Sequence, residues 1–229
     1  GGIAGLMGAG RTEFAMSLFG RAWGERISGR VWLDGREVNL SSVAAAIDAG
    51  LAYVTEDRKE LGLILDADVR KNITLASLGR VARQGVIDDM SELRVASDYR
   101  NRMRIRCSDV YQETGQLSGG NQQKVVLSKW LMTDPKVLFL DEPTRGIDVG
   151  AKYEIYCIIN ELAEAGKGVV MISSEMPELL GVCDRILVMN DGAFVGEFAA
   201  AEATQERIMR AIMRNKEMDK KVLQGELQP

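Results

Sequence analysis

The apolar run Gly1 to Ala4 leads directly into Gly5-Leu6-Met7-Gly8-Ala9-Gly10-Arg11-Thr12, and a helix is expected from about Arg11 to Phe19. Strand, glycine loop and helix in that order commit the chain to an α/β unit whose first helix starts on the loop. The glycines let successive N–H groups turn toward one anion, and the positive end of the helix adds to the same attraction. The spacing matches G-x-x-x-x-G-K-[ST] except that Arg11 stands where lysine is expected. Thr12 is placed to offer its hydroxyl to Mg²⁺. Lysine is a compact charge that reaches between phosphates, whereas arginine is a larger planar fork, so binding can survive while hydrolysis suffers. Taken alone, the same stretch also suits a strand-to-helix turn that holds no ligand.

Beyond the loop the alternation continues. Arg30 to Asn39 alternates about Asp34-Gly35, the short-range signal of a hairpin. Ser41 is expected to cap a short helix that stops at Gly50, followed by the apolar strand Leu51 to Val54 and the polar run Thr55-Glu56-Asp57-Arg58-Lys59. From about Asp66 to Cys107 the pattern is helical and charged, with little strand signal and a break near Gly85. A Ser/Gly turn and helix over Leu117 to Leu131, a strand over Val137 to Leu140, a helix from about Gly150 to Ala165 and a strand over Val169 to Ser173 follow. Ile186 to Met189 is expected to pair with Ala193 to Phe198 through Asp191-Gly192, before a last helix over Thr204 to Arg214. Strands alternating with helices imply a mostly parallel sheet.

Composition narrows the function. Apolar residues make up 46% of the 229, enough to bury the core of one α/β domain with a smaller subdomain. Lys and Arg number 29 against 33 Asp and Glu, a net charge of −4 without a dense basic block, which argues against a nucleic-acid partner. Cys107, Cys157 and Cys183 are odd in number and lack CxxC spacing, so neither a disulfide framework nor a zinc site is indicated and a reducing, cytosolic setting is expected. No apolar run approaches the roughly 18 residues that span a bilayer, so a membrane role is expected to come through a partner. The absence of histidine removes imidazole bases and ligands from consideration. Because Gly1 falls inside what reads as a strand, the chain is expected to be a fragment whose N-terminal strands are missing.

Two further stretches carry chemistry. Val137-Leu138-Phe139-Leu140-Asp141-Glu142 is an apolar strand delivering two carboxylates to its C-terminal end, where ligands sit in open α/β sheets. Asp141 would help hold Mg²⁺ and Glu142 would orient or activate an attacking water; two solvated acids at a strand end are the plain alternative. Leu117-Ser118-Gly119-Gly120-Asn121-Gln122-Gln123-Lys124 opens a helix with a serine hydroxyl and glycine N–H groups at its positive end, a second anion receptor with no glycine loop of its own.

That stretch resembles the LSGGQ-type signature of ABC ATPases. Together with Asp141-Glu142-Pro143-Thr144-Arg145-Gly146-Ile147-Asp148-Val149-Gly150 and Ser173-Ser174-Glu175-Met176-Pro177-Glu178-Leu179-Leu180-Gly181, it looks like the second half of tandem monosaccharide importers of the galactose, xylose, ribose or multiple-sugar type. The resemblance spans essentially the whole chain and includes the Gly-Ala-Gly-Arg ending of the glycine loop, Gly8 to Arg11.

The resemblance implies a P-loop NTPase fold with a mostly parallel sheet, a β-hairpin edge and a helical subdomain. The core is expected over 1–65 and 133–215, the helical subdomain over 66–132 and a flexible tail over 216–229. It implies ATP and Mg²⁺ as cofactors, with Gly5, Gly8, Gly10, Arg11, Thr12, Glu56, Asp141 and Ser174 about the nucleotide and Glu142 as the catalytic carboxylate. Leu117, Ser118, Gly119, Gly120, Asn121 and Gln122 would complete the nucleotide site of a facing domain, with Gly146, Ile147 and Asp148 as the D-loop. The implied partners are the first ATP-binding half of the same polypeptide, an integral membrane permease gripped near Glu56 to Leu65 and, indirectly, a periplasmic sugar-binding protein. The implied location is peripheral, on the cytoplasmic face of the inner membrane.

Three positions depart from a competent site of that family: Arg11 for lysine, Glu56 for the Q-loop glutamine and Ser174 for the switch histidine. Glu56 is expected to add negative charge near the phosphates, and Ser174 cannot act as an imidazole. The expectation is an asymmetric machine in which this half is weak in hydrolysis and lends its signature loop to its partner. A regulatory half that binds without hydrolysing is the alternative; a soluble ABC ATPase acting on ribosomes or DNA would be expected to show basic arms or a long coiled coil, and neither is visible. The adenine-stacking aromatic lies upstream in the family, so weak ATP binding is expected, and Trp23 and Trp32 read as packing residues.

Overall fold

Gly2, Ile3 and Ala4 are all buried, as a strand covered on both faces requires, and they form β1 (Gly2–Ala4) in the middle of the main sheet. The computed structural model describes residues 1–223, with side chains described through Glu217. The other main strands are β4 (Leu51–Val54), β7 (Val137–Asp141), β8 (Gly168–Ile172), β9 (Arg185–Asn190) and β10 (Ala193–Ala199). The six run in the order β10-β9-β1-β8-β7-β4, parallel except for β10, which folds back on β9 through Asp191-Gly192. Parallel pairing sends the loops after β1, β4, β7 and β8 to one edge of the sheet. Ile3 and Asp141 both pair with Ile172, which levels the glycine loop with the carboxylate pair.

Helices cover the sheet. Between β1 and β4 lie α1 (Arg11–Leu18) and α2 (Val43–Asp48). The predicted cap of α2 moves by one residue: Ser42, not Ser41, accepts the Ala45 N–H at 3.1 Å, and its extended backbone aims its oxygen at the first turn. Between them, Trp32–Leu33 (β2) and Arg36–Glu37 (β3) make the predicted hairpin about Asp34-Gly35 as a small sheet of its own.

From residue 66 the chain leaves the sheet. It forms α3 (Val69–Thr74), a second hairpin of β5 (Ala82–Arg83) and β6 (Val86–Ile87), and α4 (Asp89–Arg102) before returning along α5 (Gly119–Leu131). The hairpin falls at the expected break near Gly85 in the mostly helical stretch: Gln84 and Gly85 both take positive φ, the geometry of a two-residue turn, and strands of two residues are too short to show periodicity. Buried Asn72 ties this part together, accepting the Ile64 N–H at 2.8 Å and donating to Thr114 Oγ1 at 3.0 Å.

The remaining helices are α6 (Val149–Glu164), α7 (Met176–Val182) and α8 (Gln205–Leu223). Helix α6 buries Ile155, Ile158, Ile159 and Leu162, one stripe at 3-4-7 spacing, and each such side chain stabilises by about 1.5–3 kcal/mol. A flexible tail is expected over 216–229; α8 extends to Leu223, and residues 224–229 lie outside the described residues. No helix among the described residues is long and apolar enough to cross a membrane.

Candidate functional site

Gly8 and Gly10 take φ of 79° and 92°, left-handed values that glycine adopts without strain, and Gly10 caps α1. Gly5 has a different duty. A Cβ there would meet the Met189 carbonyl oxygen at 2.5 Å, so its missing side chain admits the β9 backbone. The β9–β10 turn braces the loop further, with the Gly192 N–H donating to the Ala9 carbonyl at 2.9 Å.

In the first turn of α1, the Thr12 hydroxyl donates to Asp141 Oδ2 at 2.7 Å, and the Tyr53 hydroxyl, brought by β4, donates to the same oxygen at 2.7 Å. Asp141 is fully buried, and its Oδ1 has no hydrogen-bond partner. An unpaired buried acceptor beside a hydroxyl is a donor set that suits a hard, hydrated cation such as Mg²⁺. Burial raises the Asp141 pKa, opposed by the Tyr53 and Thr12 hydroxyls. The Tyr53 phenol is in turn pushed far up, by burial first and then by Asp141.

Glu142 follows in a left-handed conformation, φ 46°, with its N–H on the Ile172 carbonyl at 2.9 Å. Its Oε1 accepts the Ser174 N–H at 2.7 Å. Burial raises its pKa, against the Ser174 hydrogen bonds and the Arg11 charge. Arg11 is buried too. Its Nη1 donates to the Ser173 carbonyl at 2.7 Å, and its Nη2 lies 4.0 Å from Glu142 Oε1. The guanidinium therefore folds back onto the β8 end and the carboxylate.

The signature stretch forms a separate cluster. Ser118 caps α5 by backbone position alone, since its Oγ accepts from Asn121 Nδ2 at 2.9 Å rather than from a helix N–H. Gly120 lets α5 meet α6: a Cβ there would stand 2.5 Å from Ala151 Cβ. Ile147 is buried in the same corner, Asp148 caps α6 by accepting the Ala151 N–H at 3.0 Å, and Gly146 turns with φ 66°. Arg58 clasps the corner, donating from Nη1 to the Arg145 carbonyl at 2.9 Å and from Nε to Gln122 Oε1 at 3.4 Å. Leu117 is buried under the loop, and Gly119 faces Arg58.

A sequence profile for the family described as ABC transporter matches residues 1–145. This chain belongs to the ABC transporter family. It is 59% identical over 209 residues to the L-arabinose transport ATP-binding protein AraG of Geobacillus stearothermophilus, covering 91% of this chain and 41% of that protein. It is 57% identical over 208 residues to the xylose import ATP-binding protein XylG of Geobacillus kaustophilus, again 91% and 41%. The chain thus spans about two fifths of the length of these relatives. A solved ATP-binding cassette of an ABC transporter shares its fold with TM-score 0.76 at 19% identity, over 92% of this chain and 86% of that one.

Within this ABC fold, the structure gathers Arg11, Thr12, Asp141, Glu142 and the Ser174 backbone into one cluster and sets the signature residues in another. The Glu56 carboxylate pairs with Arg145. Trp23 and Trp32 are more than half exposed and do not pack into the core; Trp32 carries the Arg30 guanidinium 5.0 Å above its ring. Sequence reasoning missed Tyr53 and Arg58. Tyr53 had a signal in its place on the strand before Thr55-Glu56, whereas Arg58 is legible only through its partners.

Proposed function

We propose that this chain is the second ATP-binding half of a tandem ATPase that drives monosaccharide import, with residues 1–65 and 133–215 as its core and 66–132 as its helical subdomain. Its glycine loop cradles ATP phosphates with the N–H groups about Gly8 and Gly10, and Thr12 and Asp141 hold Mg²⁺. When bound, Mg²⁺ neutralises charge on the β- and γ-phosphates. Glu142 is the carboxylate that orients the attacking water. Its own site is slow, and its exposed Ser118 loop completes the site of the first half. The assembly sits on the cytoplasmic face of the inner membrane against a permease served by a periplasmic sugar-binding protein.

The observation that carries this reading is the Arg11 guanidinium, buried and donating to the Ser173 carbonyl at 2.7 Å. A cation committed there is not free to bridge phosphates as a loop lysine does. Ser118, by contrast, is exposed at the start of α5, where the first N–H groups of the helix and its dipole favour a phosphate. A second reading, a half that binds ATP and never hydrolyses it, is favoured by Ser174, which offers Glu142 a backbone N–H and has no imidazole for the transition state.

ATP turnover of the tandem polypeptide with Ser118→Ala and with Arg11→Ala tests the assignment. The proposal expects Ser118→Ala to remove most of the turnover and Arg11→Ala to change it little. Loss of turnover in Arg11→Ala would mean that this half hydrolyses ATP itself.

A further inference from the structure

Three hydroxyls converge on one buried carboxylate outside the cluster described above. Glu178, on α7, is 6% exposed; Thr144 and Tyr156 donate to its Oε1, the latter at 2.9 Å, and Ser173 donates to its Oε2. Thr144 and Ser173 are buried with it. Among the described ion pairs none includes Glu178; the nearby charges are the Lys152–Glu175 pair at the start of α7, 2.9 Å apart.

The location gives this hub its meaning. Ser173 and Ser174 share one peptide group, whose carbonyl accepts from Arg11 and whose N–H donates to Glu142, both at 2.7 Å. Thr144 lies two residues after Glu142, and Tyr156 lies on α6 behind the D-loop. Ser173 Oγ also accepts the Glu175 N–H at 3.0 Å, so the serine is held from both sides.

We propose that Glu178 is a positioning residue: by gripping the Ser173 and Thr144 hydroxyls it orients the 173–174 peptide, and through it the Glu142 carboxylate and the Arg11 guanidinium. This rests on the reading of Glu142 as the reactive carboxylate of the site. A carboxylate suits the task because it accepts three hydroxyl donors at once, and charge-assisted hydrogen bonds are shorter and stiffer than neutral ones. Glutamine keeps the shape. Its oxygen can accept from Thr144 and Tyr156 while its amide donates to Ser173.

Amide hydrogen exchange at Ser174 and Glu175, in the whole polypeptide that carries this chain, tests the proposal without relying on turnover. Glu178→Ala and Ser173→Ala are expected to speed exchange at both amides by about tenfold, and Glu178→Gln to stay within about threefold of wild type. Recovery in Glu178→Gln is the readout that a merely structural loss would not give, because glutamine returns a partner to each of the three hydroxyls.

Unchanged Ser174 exchange in Glu178→Ala and Ser173→Ala overturns the proposal. If Glu178→Ala also loosens β7 and β8, Ser173→Ala decides alone, read at the Ser174 amide, because the Glu175 amide loses its own acceptor in that variant. ATP binding by the wild type is measured alongside; its absence sinks the functional reading and leaves the exchange result standing.

Discussion

The Thr12 hydroxyl and Asp141 Oδ2 stand 2.7 Å apart, and this bond joins the first turn of α1 to the end of β7 across 129 residues of sequence. The remaining oxygen of Asp141 is buried and has no hydrogen-bond partner, and under the proposed function it is the atom that would face a cation.

Asp141→Asn separates those duties. Burial holds the Asp141 carboxyl above its ordinary range, so its contribution to folding is full below the unfolded value of about 4 and is lost as pH rises through the folded one. Asparagine is neutral at every pH, and its oxygen still accepts from Thr12 and Tyr53. The variant is therefore expected to melt at a higher temperature than wild type near pH 7, with the gap closing near about pH 4, while losing Mg²⁺-dependent ATP affinity. Thermal unfolding across that range and nucleotide titrations with and without Mg²⁺ check both halves.

Lys129 on α5 gives a stability signal of its own. Its ammonium is buried and donates to the Gly62 carbonyl at 2.5 Å, and burial lowers its pKa from 10.5 to about 8. A lowered value means that the neutral amine is the form folding favours: the contribution is full above 10.5 and is lost as pH falls through about 8. Wild type should gain up to about 3 kcal/mol relative to Lys129→Met between those limits. Denaturant titrations of both proteins at matched pH measure the difference, and parallel curves would show that Lys129 is solvated.

Gly120 sets how closely the signature helix meets α6. An alanine there would place its Cβ 2.5 Å from Ala151 Cβ, which forces the helices apart at a cost of about 1–3 kcal/mol. Ala151→Gly restores the space, so the double variant should be more stable than the sum of the two single changes allows. Additive losses in such a cycle would mean that the helices do not press on each other at this point.

Arg58 is expected to resist replacement by lysine. Its planar fork spans the Arg145 carbonyl and Gln122, and a point charge on a flexible stem cannot serve both. Arg58→Lys should speed amide exchange over residues 118–122 several-fold and cut turnover of the tandem polypeptide on the order of tenfold. Wild-type exchange in that stretch would show that the clasp does not hold the signature loop.

The glycine loop, the strand 137–141 and the Ser118 turn were legible because each signal is local. Left-handed glycines, an apolar run ending in acids, and a serine before two glycines reveal themselves within a dozen residues. The short hairpin at Gln84-Gly85 was not, because two-residue strands leave no alternation to read. The pairing of Glu56 with Arg145 was not legible either, because the two lie far apart along the chain.

The sequence by itself therefore determined the α/β alternation, the glycine loop, the Ser118 turn and the place of the carboxylates at a strand end, since backbone propensity and turn chemistry act between near neighbours. Only the tertiary structure decided which way the side chains committed. The β10-β9-β1-β8-β7-β4 order puts Arg11 against Ser173 at a separation of 162 residues and draws Thr144, Ser173 and Tyr156 onto Glu178. Those partners are chosen by the register of parallel strands and by the need to satisfy each buried polar group, and neither is written in any short stretch of chain.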